Sequence, residues 1–123
     1  MTLPFALIIE DDPKLAIIFS ESLKLAEFQT EIIRDGQAAL ERLAETVPDV
    51  VVLDLHLPFV SGRSILQRIR ADGRLNETRV MVVTADAALA DTLQSEADLA
   101  LLKPVSVKQL RDLAVRLRPE KRA

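Results

Sequence analysis

Val50-Val51-Val52-Leu53-Asp54-Leu55-His56-Leu57-Pro58 runs four apolar residues, three of them β-branched, straight into a carboxylate. β-Branched side chains pack well on a pleated surface. An unbroken apolar run, rather than an alternating one, marks a strand covered on both faces. Residues 50–53 are therefore expected to form a central strand of a parallel sheet, with Asp54 at its carboxyl end.

The same grammar repeats outward in both directions. Phe5–Ile9, residues 80–83 and Leu99–Leu102 are further unbroken runs, whereas Ile32 and Ile33 sit in the more polar stretch 29–34, which reads as an edge strand. Between the runs the apolar period lengthens to that of a helix. Leu15, Ile18, Phe19, Leu23 and Ala26 share one face; so do Leu40, Leu43, Ala44 and Val47, then Ile65, Leu66 and Ile69. Leu89, Ala90, Leu93 and Ala97 make a fourth stripe, and Leu110, Leu113, Ala114 and Leu117 a fifth. Asp12-Pro13 supplies a helix cap with proline in the first turn, and Asp35-Gly36 breaks the second strand before the second helix.

Strand and helix thus alternate five times. That pattern calls for an α/β fold, a (βα)5 doubly wound parallel five-stranded sheet with helices on both faces. Right-handed crossovers leave few topologies, and the flavodoxin-like order 2-1-3-4-5 puts the polar second strand at an edge. No linker, repeat or low-complexity tract divides residues 1–123, so one domain is expected, with 119–123 as a frayed tail.

Composition narrows the function. Of 123 residues none is Cys, which excludes thiolate metal sites and disulfides and suits a reducing compartment. A single histidine, His56, cannot build a multi-histidine metal site. No apolar run approaches the roughly 20 residues that span a bilayer. Residues 1–10 lack a basic n-region and a cleavage motif, so a cytoplasmic protein without a signal peptide or membrane contact is expected. Net charge is −3, with no Trp or Tyr, which argues against direct nucleic-acid binding. The one basic cluster, Lys108, Arg111, Arg116, Arg118, Lys121 and Arg122, reads as a solvated helix face.

In open α/β sheets ligands bind at the carboxyl ends of the strands, beside the switch point. Those ends carry Glu10-Asp11-Asp12, Asp54, Thr84-Ala85 and Lys103-Pro104. In the order 2-1-3-4-5 the first and third strands are neighbours, so the acids converge. Two carboxylates about 4 Å apart repel by roughly 4 kcal/mol at an effective dielectric of about 20. Gathering several calls for a cation, and an all-oxygen donor set favours Mg²⁺. Asp54 could then attack phosphorus and form an aspartyl phosphate. Lys103 would add a second cation, and the Thr84 hydroxyl would donate to a phosphoryl oxygen.

With these residues in place, the chain resembles a response-regulator receiver domain of two-component signalling (the CheY-like superfamily) over essentially its whole length. The resemblance is carried by Leu7-Ile8-Ile9-Glu10-Asp11-Asp12-Pro13, Val51 through Pro58, Val82-Val83-Thr84-Ala85 and Leu102-Lys103-Pro104, with Pro58 and Gly62 matching the turn after the phosphorylated strand. It implies phosphorylation of Asp54 by a histidine kinase or phosphotransfer protein, self-catalysed and no further enzyme activity, and a surface switch controlling an effector or output domain. It implies that Glu10 and Asp11 are the acidic pair, that the His56 backbone carbonyl also faces the metal, and that a cis bond precedes Pro104.

Blander readings stand beside these. Asp12 is the helix cap; Thr84 could cap the following helix, Lys103 could be a surface lysine, and Pro104 could start a helix. His56 reads as a loop side chain, and a triad with Ser61 or Ser64 lacks a nucleophile elbow. Gly36, Gly62 and Gly73 form no phosphate-cradling loop. Two other functions remain: a Mg²⁺-dependent phosphohydrolase of the haloacid-dehalogenase type, which expects an acid where His56 stands, and an interaction module independent of phosphorylation. The chain departs from the receiver pattern at Ala100, where an aromatic is usual, and at Glu96 and Leu99, where Gly and Asp are usual.

Overall fold

Side chains on a strand alternate between faces, so each apolar strand must be covered twice. In the computed structural model, which describes residues 2–121, five parallel strands meet that demand. They are β1 (Phe5–Ile9), β2 (Gln29–Ile33), β3 (Val50–Asp54), β4 (Arg79–Thr84) and β5 (Leu99–Leu102). Helices α1 (Pro13–Leu25), α2 (Gly36–Glu45), α3 (Gly62–Ala71), α4 (Ala87–Leu93) and α5 (Val107–Arg116) alternate with them. The sheet order is β2-β1-β3-β4-β5, as the sequence pattern requires.

Leu7, Ile9, Val51, Leu53, Val80 and Val82 pack against Leu43, Ile65, Ile69 and Leu93, so α2, α3 and α4 cover one face. Ala6, Ile8, Val50, Val52, Met81 and Val83 meet Phe19, Leu23, Leu110 and Ala114 of α1 and α5 on the other. Every residue of β3 is buried. At roughly 1.5–3 kcal/mol per buried aliphatic side chain, this strand anchors the sheet. β2 stands at the edge, with Ile32 36% exposed.

Helix starts follow local chemistry. Asp12 Oδ1 accepts from the N–H groups of Lys14 (2.8 Å) and Leu15 (3.2 Å), and Asp35 Oδ1 accepts from Ala38 N–H (2.8 Å). Each such cap contributes about 1 kcal/mol.

Four details differ from the sequence reading. Ile18 lies at the flank of the α1 stripe and is exposed; Ala16 takes the buried place beside Phe19 and Leu23. Ala44 and Val47 are exposed too, and α2 buries Ala39 beside Leu43 instead. α2 stops at Glu45 with Thr46 extended, and Pro48 disfavours a helical Val47. At the C-terminal end, residues Pro119–Lys121 form a 3₁₀ turn rather than a frayed tail, while Arg122 and Ala123 lie outside the described residues. Arg118 is not part of a solvated basic face. Its Nη1 donates to the carbonyls of Ala26 (2.7 Å) and Glu27 (2.8 Å), and its guanidinium lies 5.9 Å from the Phe28 ring centre. Carbonyls at the end of α1, left without helical partners, supply the reason.

Candidate functional site

Strand register decides where the carboxylates meet. Ile9 pairs with Leu53, so the residues that follow, Glu10 and Asp54, emerge side by side at the centre of the sheet. Glu10 is 1% exposed and Asp54 2%, with Asp11 half-buried beside them. One carboxylate oxygen from each of the three lies within 4.8 Å of the others. Asp12 turns away to cap α1.

Two donors hold the Asp54 carboxylate. Its Oδ1 accepts from the His56 backbone N–H at 3.1 Å and from Lys103 Nζ at 3.4 Å. Lys103 is held in turn by its own N–H, which donates to the Thr84 carbonyl at 2.8 Å where β4 and β5 end together. The Lys103–Pro104 bond is cis.

Glu10 is the less satisfied acid. Its Oε2 accepts from Asp12 N–H at 3.2 Å. Its Oε1 is buried without a hydrogen-bond partner among the described residues, with Lys103 Nζ 3.7 Å away as an ion pair. Burial, first, pushes the Glu10 carboxyl up to about 7; the neighbouring Asp54 charge adds to the rise, while the Asp12 amide and Lys103 oppose it. A buried oxygen with no donor is costly. An orphaned oxygen among converging carboxylates, with no sulfur or imidazole, fits a hard divalent cation.

The other expected residues gather around this centre. Thr84 is fully buried at the end of β4. It does not cap α4; Asp86 does, accepting from Leu89 N–H at 3.1 Å. Thr84 Oγ1 instead accepts from Asp86 N–H (3.1 Å) and lies 2.9 Å from His56 Nε2. That ring contact was not readable from the sequence, because it depends on a loop side chain folding back across the neighbouring strand. Ser61 caps α3 and bonds Ser64 Oγ at 2.9 Å, which leaves neither serine in a triad.

The loop from β3 to α3 explains Pro58 and Gly62. Val60 N–H donates to the Pro58 carbonyl at 2.8 Å across Phe59, whose φ is 68°: a γ-turn with a left-handed centre. A Cβ on Gly62 would lie 2.3 Å from the Asp54 carbonyl oxygen and 2.6 Å from Leu55 Cα. Glycine is what lets α3 press against the backbone that carries Asp54.

Comparisons with known proteins show the family and the fold. The family model described as "Response regulator receiver domain" matches residues 6–115, and the chain belongs to that family. It is 34% identical to the DNA-binding dual master transcriptional regulator RpaA of Synechocystis sp., over 88% of this chain and 46% of that protein. It is 36% identical to the DNA-binding response regulator MtrA of Mycolicibacterium smegmatis, over 85% of this chain and 46% of that one. The chain thus spans about half the length of the curated relatives it matches. Among solved structures, the CheY-like receiver domain from Methylobacillus flagellatus superposes with a TM-score of 0.84 at 27% identity, covering 95% of this chain and 100% of that one. The chemotaxis response regulator CheY4 of Vibrio cholerae gives a TM-score of 0.85 at 21% identity, covering 94% and 99%, and supports the fold.

Proposed function

We propose that Asp54 accepts a phosphoryl group, with Mg²⁺ bound by Glu10, Asp11 and Asp54, and that this changes the surface read by an effector. The observation that carries the proposal is a buried Asp54 carboxylate held by Lys103 Nζ beside a Glu10 Oε1 that has no hydrogen-bond partner among the described residues. A free Asp54 oxygen forms the new bond to phosphorus as the bond to the donor breaks. The bonding pair leaves with the donor, a phosphohistidine of a kinase or phosphotransfer protein, or the carboxylate of a small acyl phosphate. The carboxylate arrives ionised, so no proton needs removing. Lys103 Nζ, already 3.4 Å from Oδ1, stabilises the added charge of about −1.5 to −2. Bound Mg²⁺ would offset charge on the phosphoryl oxygens; the His56 backbone carbonyl completes the ligands assigned to it.

Thr84 is assigned as the hydroxyl donor to a phosphoryl oxygen; Pro58, Gly62 and Pro104 shape the loops around it. We place the protein in the cytoplasm, in keeping with its lack of cysteine. Among the described residues no helix is long and apolar enough to cross a membrane. We assign no nucleic-acid contact to this stretch: Arg42, Arg70, Arg74, Arg79 and Arg118 are spent on internal ion pairs or carbonyls. The effector is a separate partner or a domain fused to this one, as the greater length of the DNA-binding relatives suggests. Nothing favours a phosphohydrolase, since His56 occupies the position of the second acid and its ring is engaged with Thr84.

Intact mass after incubation with acetyl phosphate and Mg²⁺ tests the reading. One added phosphoryl group is expected, and none on Asp54→Asn. Equal labelling of that variant would remove Asp54 from the scheme.

A further inference from the structure

A hydroxyl has one proton and two lone pairs to place. At Thr84, which is fully buried, the Asp86 N–H fills one lone pair at 3.1 Å. The other neighbour of Oγ1 among the described residues is His56 Nε2, 2.9 Å away. If Nε2 carried a proton and donated, Oγ1 would accept twice and its own buried proton would have no acceptor. Buried polar hydrogens are rarely left so. The consistent arrangement has His56 protonated at Nδ1 and bare at Nε2, with the Thr84 hydroxyl donating to it.

We propose that His56 is a positioning residue that latches Thr84, holding the hydroxyl's single proton until a phosphoryl oxygen on Asp54 takes it. The inference rests on the phosphoacceptor reading above and adds a competition to it. Thr84 cannot donate to His56 and to a phosphoryl oxygen at once. The geometry ties both ends of the competition to the site. His56 N–H donates to Asp54 Oδ1 at 3.1 Å, so the segment carrying the ring is anchored on the acceptor itself. At the other end the same hydroxyl holds Asp86 N–H, and Asp86 caps α4 through Leu89 N–H. Moving the Thr84 hydroxyl toward Asp54 therefore releases His56 and pulls on the start of α4. This supplies a two-position element in a chain where Ala100 has no ring to turn.

His56 is the chain's single histidine, so its ring nitrogens can be read without assignment. Long-range ¹H–¹⁵N correlation of the free protein is expected to show a protonated Nδ1 and a bare Nε2. A protonated Nε2 in a neutral ring would overturn the latch, and no substitution is needed to see it. The second measurement is the affinity for beryllofluoride in saturating Mg²⁺ across parent, His56→Ala, Thr84→Ala and the double variant. Loss of one net hydrogen bond predicts roughly threefold to tenfold tighter binding for His56→Ala. The same change should vanish in the Thr84→Ala background, because the ring acts through that hydroxyl. Weaker or unchanged binding by His56→Ala, or an equal gain in both backgrounds, overturns the latch while leaving Asp54 as the acceptor. A parent protein that takes up no beryllofluoride overturns the phosphoacceptor reading and the latch with it.

Discussion

Lys103 Nζ stands 3.4 Å from Asp54 Oδ1 and 3.7 Å from Glu10 Oε1, so that among the described residues one cation is set against two buried carboxylates. One positive charge cannot satisfy both acids. Glu10, the acid without a donor on Oε1, is the one whose carboxyl is pushed up to about 7 by burial and the Asp54 charge.

A pH dependence with a definite sign follows for the metal-free protein. In the unfolded chain Glu10 titrates near its ordinary 4.5, and in the folded chain near 7. Between those values the native state holds the extra proton, so stability falls as pH rises and levels off above about 7. The neutral form carries no such penalty below 4.5. The contribution is on the order of 2–3 kcal/mol across that window, at about 1.4 kcal/mol per unit. Urea unfolding at pH 5 and pH 7.5 measures it, and Glu10→Gln should flatten the difference. Added Mg²⁺ should stabilise the parent more at pH 7.5 than at pH 5. A Glu10→Gln variant that keeps the parent's full pH dependence would place the strain elsewhere.

The close approach at Gly62 links packing to chemistry. A Cβ there meets the Asp54 carbonyl oxygen at 2.3 Å and Leu55 Cα at 2.6 Å, both backbone atoms with no rotamer to change. Gly62→Ala should cost roughly 1–3 kcal/mol and slow labelling of Asp54 by acetyl phosphate. Gly73→Ala is the control, since nothing lies within 4 Å of its added methyl. Chemical denaturation and intact mass read the two effects. A Gly62→Ala protein as stable as the control would mean that α3 can back away from β3 without cost.

At the tip of the same loop, Phe59 holds φ at 68° with its ring fully exposed. No buried area offsets the strain of a left-handed non-glycine residue, which is about 1–2 kcal/mol. Glycine removes that strain at an entropic cost of roughly 0.5–1 kcal/mol, and valine deepens it through β-branching. The stability order Phe59→Gly, then parent, then Phe59→Val is therefore expected in a thermal melt. Valine equal to or above the parent would show that the γ-turn is not fixed in solution.

Much of this was legible in the sequence for a physical reason. The unbroken runs at 50–53 and 80–83 can only be satisfied between two layers, and that requirement also delivers Glu10, Asp54, Thr84 and Lys103 to neighbouring strand ends. Side-chain direction was not legible. Residue type said nothing of where the long Arg118 would land, and it fills the end of α1. Nor did it show that His56 reaches Thr84, or that Asp86 relieves Thr84 of capping. The apolar stripes placed Ile18 and Val47 inside because periodicity ignores how wide a face the sheet can cover and where a proline ends a helix.

A phosphoryl mimic is expected to move the backbone around α4 rather than that of β5. β5 is pinned at both ends: Asp98 N–H donates to the Val80 carbonyl at 2.9 Å, and Lys103 N–H to the Thr84 carbonyl at 2.8 Å. Asp98 also accepts from Val80 N–H at 2.7 Å, from Arg70 at 2.8 Å and from Arg79 at 3.1 Å. α4 has much less to lose. It is seven residues long, buries Ala90 and Leu93, and hangs from Thr84 through Asp86. Local opening costs least where few apolar contacts are broken. Amide shifts between the free and beryllofluoride-bound protein should therefore concentrate in residues 84–95, with Leu99–Leu102 nearly still. Ala100, half-buried against the α2–α4 side of the core, has no second rotamer with which to carry a change into β5. Largest shifts at 99–102, with 84–95 unmoved, would show that the signal leaves through the strand after all.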